Sequence, residues 1–191
     1  MGKYYTGTFD TSGKGKSALT AAAYRGLQAE VYNYTEEQMI AAFHDFAIFF
    51  DTIDLQILMH KAIGLEFPII DLALTLQQHP APRVIQCSGF CSRNILTNTS
   101  FLAGCKHAVA LTRVLFLTDM IRLCIDHRLA KPEVYVDDAA TITAGPITET
   151  TEIMFNSINA FVKMTNRLNC KLCTKGVIMS TIPSSANLII K

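Results

Sequence analysis

The order of elements along the chain predicts an α+β fold with a mainly antiparallel sheet and helices packed on one face. Two patterns lead to this prediction. Short runs of β-branched residues next to Gly or Pro indicate β-hairpins, and the longer stretches between them have the periodicity of helices. Half of the 191 residues are hydrophobic and only 17% are charged, a composition that supports one packed core and excludes wholesale disorder.

Helices and one buried strand are expected in the N-terminal part of the chain. The first dozen residues lack apolar periodicity and are interpreted as a loop. Ser17 is expected to cap a helix over residues 18–32, and Thr35 to cap a second, short helix. The wholly apolar run 46–50 is typical of a strand that is buried on both faces.

The remaining elements alternate between helices and hairpins. They are helices over 55–63 and 68–78, strands over 83–88 and 94–99 around Gly89, an apolar helix over 108–125, a hairpin over 133–143, an amphipathic helix over 148–168 with core candidates Ile153, Phe155, Ile158, Phe161 and Val162, and closing strands over 172–181 and 186–190. Arg113, Asp119 and Arg122 would be costly in a bilayer, so the apolar helix is interpreted as a core helix and no membrane partner is expected.

Charge and cysteine usage restrict the classes of function. The net charge of +1 is low for a nucleic-acid-binding protein. Either the basic residues are concentrated in one groove, or basic parts of such a protein are missing from this chain. The first residues contain no apolar secretory segment, so a reduced, intracellular setting in the nucleus or cytoplasm is expected for the six cysteines. Zinc is disfavoured, because no histidine stands at finger spacing from the pairs Cys87/Cys91 and Cys170/Cys173.

Two adjacent carboxylates, Asp137 and Asp138, are expected at the tip of the hairpin 133–143. Like charges repel at such a tip, and Asp is depleted in strands. Mg²⁺ prefers hard oxygen ligands and would remove this repulsion, with Mn²⁺ as the alternative ion. The competing interpretation is a metal-free α+β module in which the pair only terminates a turn.

Tyr135-Val136-Asp137-Asp138 is a Tyr-x-Asp-Asp sequence, and residues 45–51 contain Asp, four residues, an aromatic and Asp. In this order along the chain, the two segments resemble the corresponding motifs of the reverse transcriptase of a retroelement. The turn 100–107 resembles the Gly-containing turn before the long palm helix. Lys175-Gly176 resembles the lysine motif, and residues 14–17 resemble a Gly-Arg-Ser segment at the end of the fingers.

The resemblance implies a polymerase palm over residues 41–191 and partial helical fingers over residues 1–40. It implies that Asp45 and Asp137 bind two Mg²⁺ ions with the help of Asp138, and that Lys175 acts as general acid. Asp51, or the pair Asp51 and Asp54, is the alternative to Asp45. The residues expected around the nucleotide are Phe46, Phe50, Ala103, Gly104 and Tyr135, with Phe50 placed to exclude a ribose 2′-hydroxyl.

The activity implied is RNA-directed DNA polymerisation, with an RNA template, a DNA primer and a deoxynucleoside triphosphate as partners. Ala103 stands where the family has Gln, and the upstream fingers strands and the thumb are expected to be missing, so an inactive or partial fragment is expected. Two alternatives share the palm: an RNA-dependent RNA polymerase, and a non-catalytic palm-fold domain that binds nucleic acid or protein.

Overall fold

The computed structural model describes residues 7–12, 15–97, 99–101, 105 and 107–182. Helices and strands alternate along this part of the chain much as the sequence predicts. The helices are α1 (Ala18–Tyr34), α2 (Phe49–Thr52), α3 (Leu55–Gly64), α4 (Ile69–Gln78), α5 (Ala108–Asp126) and α6 (Ile147–Arg167). The strands are β1 (Gln38–Asp45), β2 (Gln86–Cys87), β3 (Phe90–Cys91), β4 (Ala130–Tyr135), β5 (Asp138–Gly145) and β6 (Val177–Ser180).

An antiparallel sheet with the strand order β4-β5-β1-β6 forms the centre of the molecule. Strand β5 pairs with β1 along its whole length, from Gln38 opposite Gly145 to Asp45 opposite Asp138. The predicted α+β class with a mainly antiparallel sheet is therefore confirmed. Strands β2 and β3 form a separate two-stranded hairpin.

Side chains that alternate along β1 lie on opposite faces of the sheet. Ile40 and Ala42 pack with Met154 of α6 on one face, which also adjoins the main core around α5. Met39 and Ala41 pack on the other face, with Ala29 of α1 against them. Helix α1 therefore covers part of the sheet face opposite α5 and α6.

The main core lies between α3, α5, α6 and the segment that follows β1. Aromatic rings form its centre: the centroid of Phe46 lies 5.0 Å from that of Phe49 and 5.6 Å from that of Phe116. At its edge, Asp119 of α5 accepts from Lys61 of α3 and, at 2.9 Å, from Arg167 of α6. This ion pair network joins the helices α3, α5 and α6.

Two predictions about the N-terminal half are wrong. The apolar run 46–50 is not a strand: β1 ends at Asp45, and the run turns into α2 through Ile48, which has a left-handed backbone conformation. Its aromatic side chains fill the core instead. Thr35 does not begin a helix but is the C-cap of α1, because the apolar residues that follow it form the buried strand β1.

The structure confirms the N-cap of α1, since Ser17 Oγ accepts from the Thr20 N–H at 3.1 Å. The hairpin around Gly89 also exists, but its strands are shorter than predicted, and an isolated bridge joins Arg83 to Ile95. Phe155 was expected in the core and is 52% exposed, because the buried face of α6 runs through Met154, Ser157 and Phe161.

The N-terminal segment is more ordered than the predicted loop. Asp10 forms a parallel bridge with Val134, and Arg113 of α5 approaches the buried Asp10 carboxylate at 2.8 Å. This segment therefore lines the outer edge of β4. The predicted closing strand 186–190 lies outside the described residues. The boundary between fingers and palm at residue 40 stays a prediction, and it falls within strand β1.

Candidate active site at the end of the antiparallel sheet

The three aspartates singled out from the sequence meet at one end of the sheet. Asp45 is the last residue of β1 and is the direct partner of Asp138, the first residue of β5. Asp138 in turn pairs with Tyr135, and Asp137 stands in the two-residue turn between them. The antiparallel register therefore brings together carboxylates that are far apart in the chain.

Electrostatic coupling among these groups follows from their closeness. Partial burial raises the pKa of the Asp138 carboxyl, and the negative charges of Asp137 and Asp45 raise it further. Arg25 of α1 opposes this shift with its positive charge. The cluster is thus self-repelling at neutral pH, which is the situation that a divalent cation relieves.

The donor set fits Mg²⁺ in kind, because all three side chains offer carboxylate oxygens. Asp45 and Asp138 are exposed and Asp137 is half-buried, so an ion can reach them from solvent. Among the described residues, no group of three or more His, Cys, Asp or Glu side chains is already arranged to hold a metal ion. The carboxylates are therefore gathered by the backbone without being closed around a common point.

The turn that carries Asp137 has an unusual backbone. Val136 has a φ of 58°, in the left-handed region that a β-branched residue rarely adopts. A positive φ at the first residue of a two-residue hairpin loop is normally supplied by Gly. Strain of this kind persists only where the surrounding structure imposes it, and here the paired strands β4 and β5 flank the strained residue.

His44 precedes Asp45 in β1 and belongs to the opposite face of the sheet. Its ring stacks on Phe161 with centroids 4.4 Å apart, and Nε2 lies 3.4 Å from Thr141 Oγ1. Burial lowers the pKa of His44 to about 4. The imidazole is therefore a neutral, packed group on the α6 side of the sheet.

The alternatives to Asp45 have other partners. Asp54 is the N-cap of α3, and its Oδ1 accepts from the N–H groups of Gln56 and Ile57 at 2.9 and 3.1 Å. Asp51 lies in α2, where its Oδ1 accepts from Ser100 Oγ at 3.4 Å. The register thus brings Asp45, and neither of these two residues, opposite Asp138.

The predicted nucleotide-binding residues differ in how deeply they are buried. Phe46 is a core residue with 6% exposure, while Phe50 is half-buried and meets Phe49 edge-on at 5.2 Å. Tyr135 is half-buried beside Asp138. Ala103 and Gly104 lie outside the described residues.

Lys175 is exposed in the loop that leads into β6. Two residues earlier, the Cys173 N–H donates to the Asp45 carbonyl at 2.7 Å, and two residues later Val177 pairs with Phe43. This lysine therefore lies on a segment that passes the Asp45 end of the sheet.

Sequence reasoning missed Arg25 of α1. Its Nε and Nη2 donate to Oε2 of Glu133 at 2.8 and 2.7 Å, and its guanidinium lies 5.7 Å from the centroid of Phe43. Arg25 lines a cleft of about 90 Å³ together with Tyr135 and Asp138. The available signal was weak: a single arginine within the alanine-rich stretch of α1, and a single glutamate in β4.

No protein-family model matches the chain, and no curated protein does. Three solved structures with a similar fold are telomerases. Apo telomerase from Candida tropicalis, truncated from its C-terminal domain, has a TM-score of 0.62 and 12% identity over 86% of this chain and 35% of that chain.

The other two telomerases were solved with the TWJ fragment of telomeric RNA. That from Candida tropicalis has a TM-score of 0.62 and 10% identity over 86% of this chain and 30% of its own. That from Candida albicans has a TM-score of 0.56 and 11% identity over 90% of this chain and 32% of its own. At these identities the likeness shows the fold alone, which is reverse-transcriptase-like and consistent with a palm. The chain spans about a third of the length of these telomerase chains.

Within the part of the chain that the structure describes, none of the helices combines the length and the apolar character needed to cross a membrane.

Proposed function

We propose that this chain is the palm of an RNA-directed DNA polymerase of retroelement type, a nucleotidyltransferase that extends a primer 3′-hydroxyl. The observation that supports this most is the pairing of Asp45 with Asp138 next to the turn residue Asp137. A reverse-transcriptase-like fold and an acidic cluster at the end of its sheet together favour a phosphoryl-transfer site. They disfavour the alternative in which the aspartate pair only terminates a turn.

Asp45 and Asp137 would hold Mg²⁺ in this proposal, and Asp138 would assist them. The chemistry that bound Mg²⁺ supplies at such sites is activation of the attacking hydroxyl and neutralisation of charge on the triphosphate. The strained turn at Val136 would keep Asp137 in position when the repulsion between the carboxylates changes.

The other site residues would position the substrates. Phe50 would lie under the sugar of the incoming nucleotide and exclude a 2′-hydroxyl, which selects deoxynucleotides. Lys175 would donate a proton to the leaving pyrophosphate from the loop beside Asp45. An RNA template and a DNA primer would occupy the face that carries Asp45 and Asp138.

The whole activity of a polymerase is not assigned to this chain by itself. The chain spans about a third of the telomerase chains, so template grip and full activity are proposed for a longer or assembled polymerase. We place the catalytic acids in this chain and expect weak or partial extension from it in isolation.

The experiment is incorporation of labelled deoxynucleotides on an RNA template with a DNA primer, in Mg²⁺ and in Mn²⁺. We expect incorporation that Asp137→Asn abolishes and Asp51→Asn leaves unchanged. Phe50→Ala is expected to admit ribonucleotides that the unchanged chain rejects. Ribonucleotide incorporation by the unchanged chain would favour an RNA polymerase, and nucleic-acid binding without incorporation would favour a non-catalytic binding domain.

A further inference from the structure

A continuous groove runs between the C-terminal half of α5 and α6. Its two parts have volumes of about 1010 Å³ and 720 Å³ and share Asp126, His127, Ala160 and Lys163 in their lining. We call it the α5–α6 groove. Both helices belong to the side of the sheet opposite α1, so this groove is separate from the face that carries Asp45.

Helix α6 presents a row of hydrogen-bonding side chains to this groove. Asn156, Asn159, Lys163 and Asn166 follow one another at intervals of three and four residues, which places them on one helix face over about 15 Å. All four are exposed, and none of their side chains bonds to another residue of the described part of the chain. These four residues include no acid; the next residue on the same face toward the N-terminus is the exposed Glu152.

The charge of the α5–α6 groove is positive. Its lining includes the cations Arg122, Arg128, Lys163 and Arg167 and the acids Asp119 and Asp126. Asp119 is already compensated by Lys61 and Arg167, and Asp126 pairs with Arg122 at 3.6 Å. Arg128 and Lys163 form no ion pair with any described acid, so these two cations carry the excess positive charge of the groove. In a chain with a net charge of only +1, this groove is a local basic surface that an anionic polymer can contact.

An exposed aromatic ring lies next to the row. Phe155 lies beside the groove and does not line it; the ring is 52% exposed and stands one helical turn before Asn159. Solvent-facing aromatic rings next to cations serve as stacking platforms for bases. Cations, amides and a ring along one helix are the groups that contact phosphates, sugars and bases of a single strand.

We propose that the α5–α6 groove binds a single strand of nucleic acid through its phosphodiester backbone, with Phe155 stacking on a base. This function goes beyond the proposed polymerase site, because it uses other residues on the other side of the sheet. The groove holds the strand by charge and amide contacts and reads no sequence.

The experiment measures the anisotropy of a fluorescein-labelled oligouridylate of roughly 16 nucleotides, titrated with the full chain at several salt concentrations. Lys163→Gln is expected to weaken binding several-fold and to lower the slope of log affinity against log salt by roughly 0.7. Asn159→Asp puts an acid into the row and is expected to weaken binding more. Arg93→Gln, which removes an exposed charge from the separate hairpin region, serves as the control and leaves both quantities unchanged.

Three outcomes would overturn the assignment. Equal losses in Lys163→Gln and Arg93→Gln would show general charge attraction. Unchanged binding in Asn159→Asp and Phe155→Ala would show that the oligonucleotide does not bind in the α5–α6 groove. Equal competition by an oligoglutamate of the same charge would show that the groove binds acidic protein instead. Asp137→Asn is expected to leave this binding intact, so failure of the groove and failure of the polymerase proposal are distinguishable.

Discussion

Asp45 and Asp138 are direct partners across strands β1 and β5, which places two carboxylates side by side at the end of the sheet. Like charges opposite one another in an antiparallel pair are destabilising. Burial and the charges of Asp137 and Asp45 accordingly raise the pKa of Asp138. The molecule thus retains at this position a pair that weakens its own fold.

The first prediction concerns this repulsion. Asp138→Asn is expected to raise the free energy of unfolding at neutral pH without divalent ions, by less than about 1 kcal/mol because the side chain is exposed and screened by solvent. Urea denaturation in a chelator measures it. Asp51→Asn, in α2, should give no such gain, and a loss of stability in Asp138→Asn would contradict the repulsion.

The second prediction concerns Arg25. Helix α1 has no buried residue, so its ion pair with Glu133 is an important contact between this helix and the sheet. A double-mutant cycle with Arg25→Gln and Glu133→Gln is expected to give a coupling of about 1 kcal/mol that falls with added salt. Faster amide exchange in α1 of both variants would accompany it. A coupling near zero would show that apolar contacts alone hold α1.

The third prediction concerns backbone strain at Ile48, which has φ 52° and ψ 46° and a side chain that is 69% exposed. Ile48→Gly is expected to stabilise the fold by about 0.5–1 kcal/mol, since glycine adopts this conformation without steric cost. Ile121→Gly in the middle of α5 should destabilise by a similar or larger amount. Thermal denaturation compares the two. Equal losses would show that Ile48 is not strained.

The fourth prediction concerns pH. Burial first, and the positive charges of Arg83 and His107 next, hold the pKa of His79 below its ordinary value of 6.5. The unfolded chain therefore binds more protons below pH 6.5, and stability falls as the pH falls from 6.5 through the pKa of the folded state.

Urea unfolding at about pH 7.5 and about pH 5.5 tests this effect. The His79→Gln variant is expected to lose less stability between the two values than the unchanged chain. Identical losses in both proteins would show that His79 does not contribute to the pH dependence.

Much of the fold was predictable because helix caps and hairpin motifs are local. Ser17 caps α1 as expected, and the Asp-Asp hairpin pairs Tyr135 with Asp138. The prediction of a strand over 46–50 is wrong because a short, continuous apolar run fits a buried strand and a buried turn into a helix equally well. Strand β1 was missed because its alanines favour a helix, and only the neighbouring strands decide its conformation.

The site was predictable in its parts but not in its assembly. The Tyr-x-Asp-Asp motif located Asp137 and Asp138, but only the register of β1 against β5 brings Asp45 to them. The contact between Arg25 and Glu133 spans 108 residues of sequence. No local pattern indicates such a pair, because it depends on how α1 lies across the sheet.

The central claim, that Asp45 and Asp137 bind a divalent ion with the help of Asp138, is tested most directly by titrating the full chain with Mn²⁺ and counting free ions by electron paramagnetic resonance. The account predicts saturable binding that Mg²⁺ displaces, that Asp45→Asn and Asp137→Asn each weaken at least tenfold, and that Asp51→Asn leaves unchanged. Binding that survives Asp137→Asn, or that Asp51→Asn removes, would contradict it.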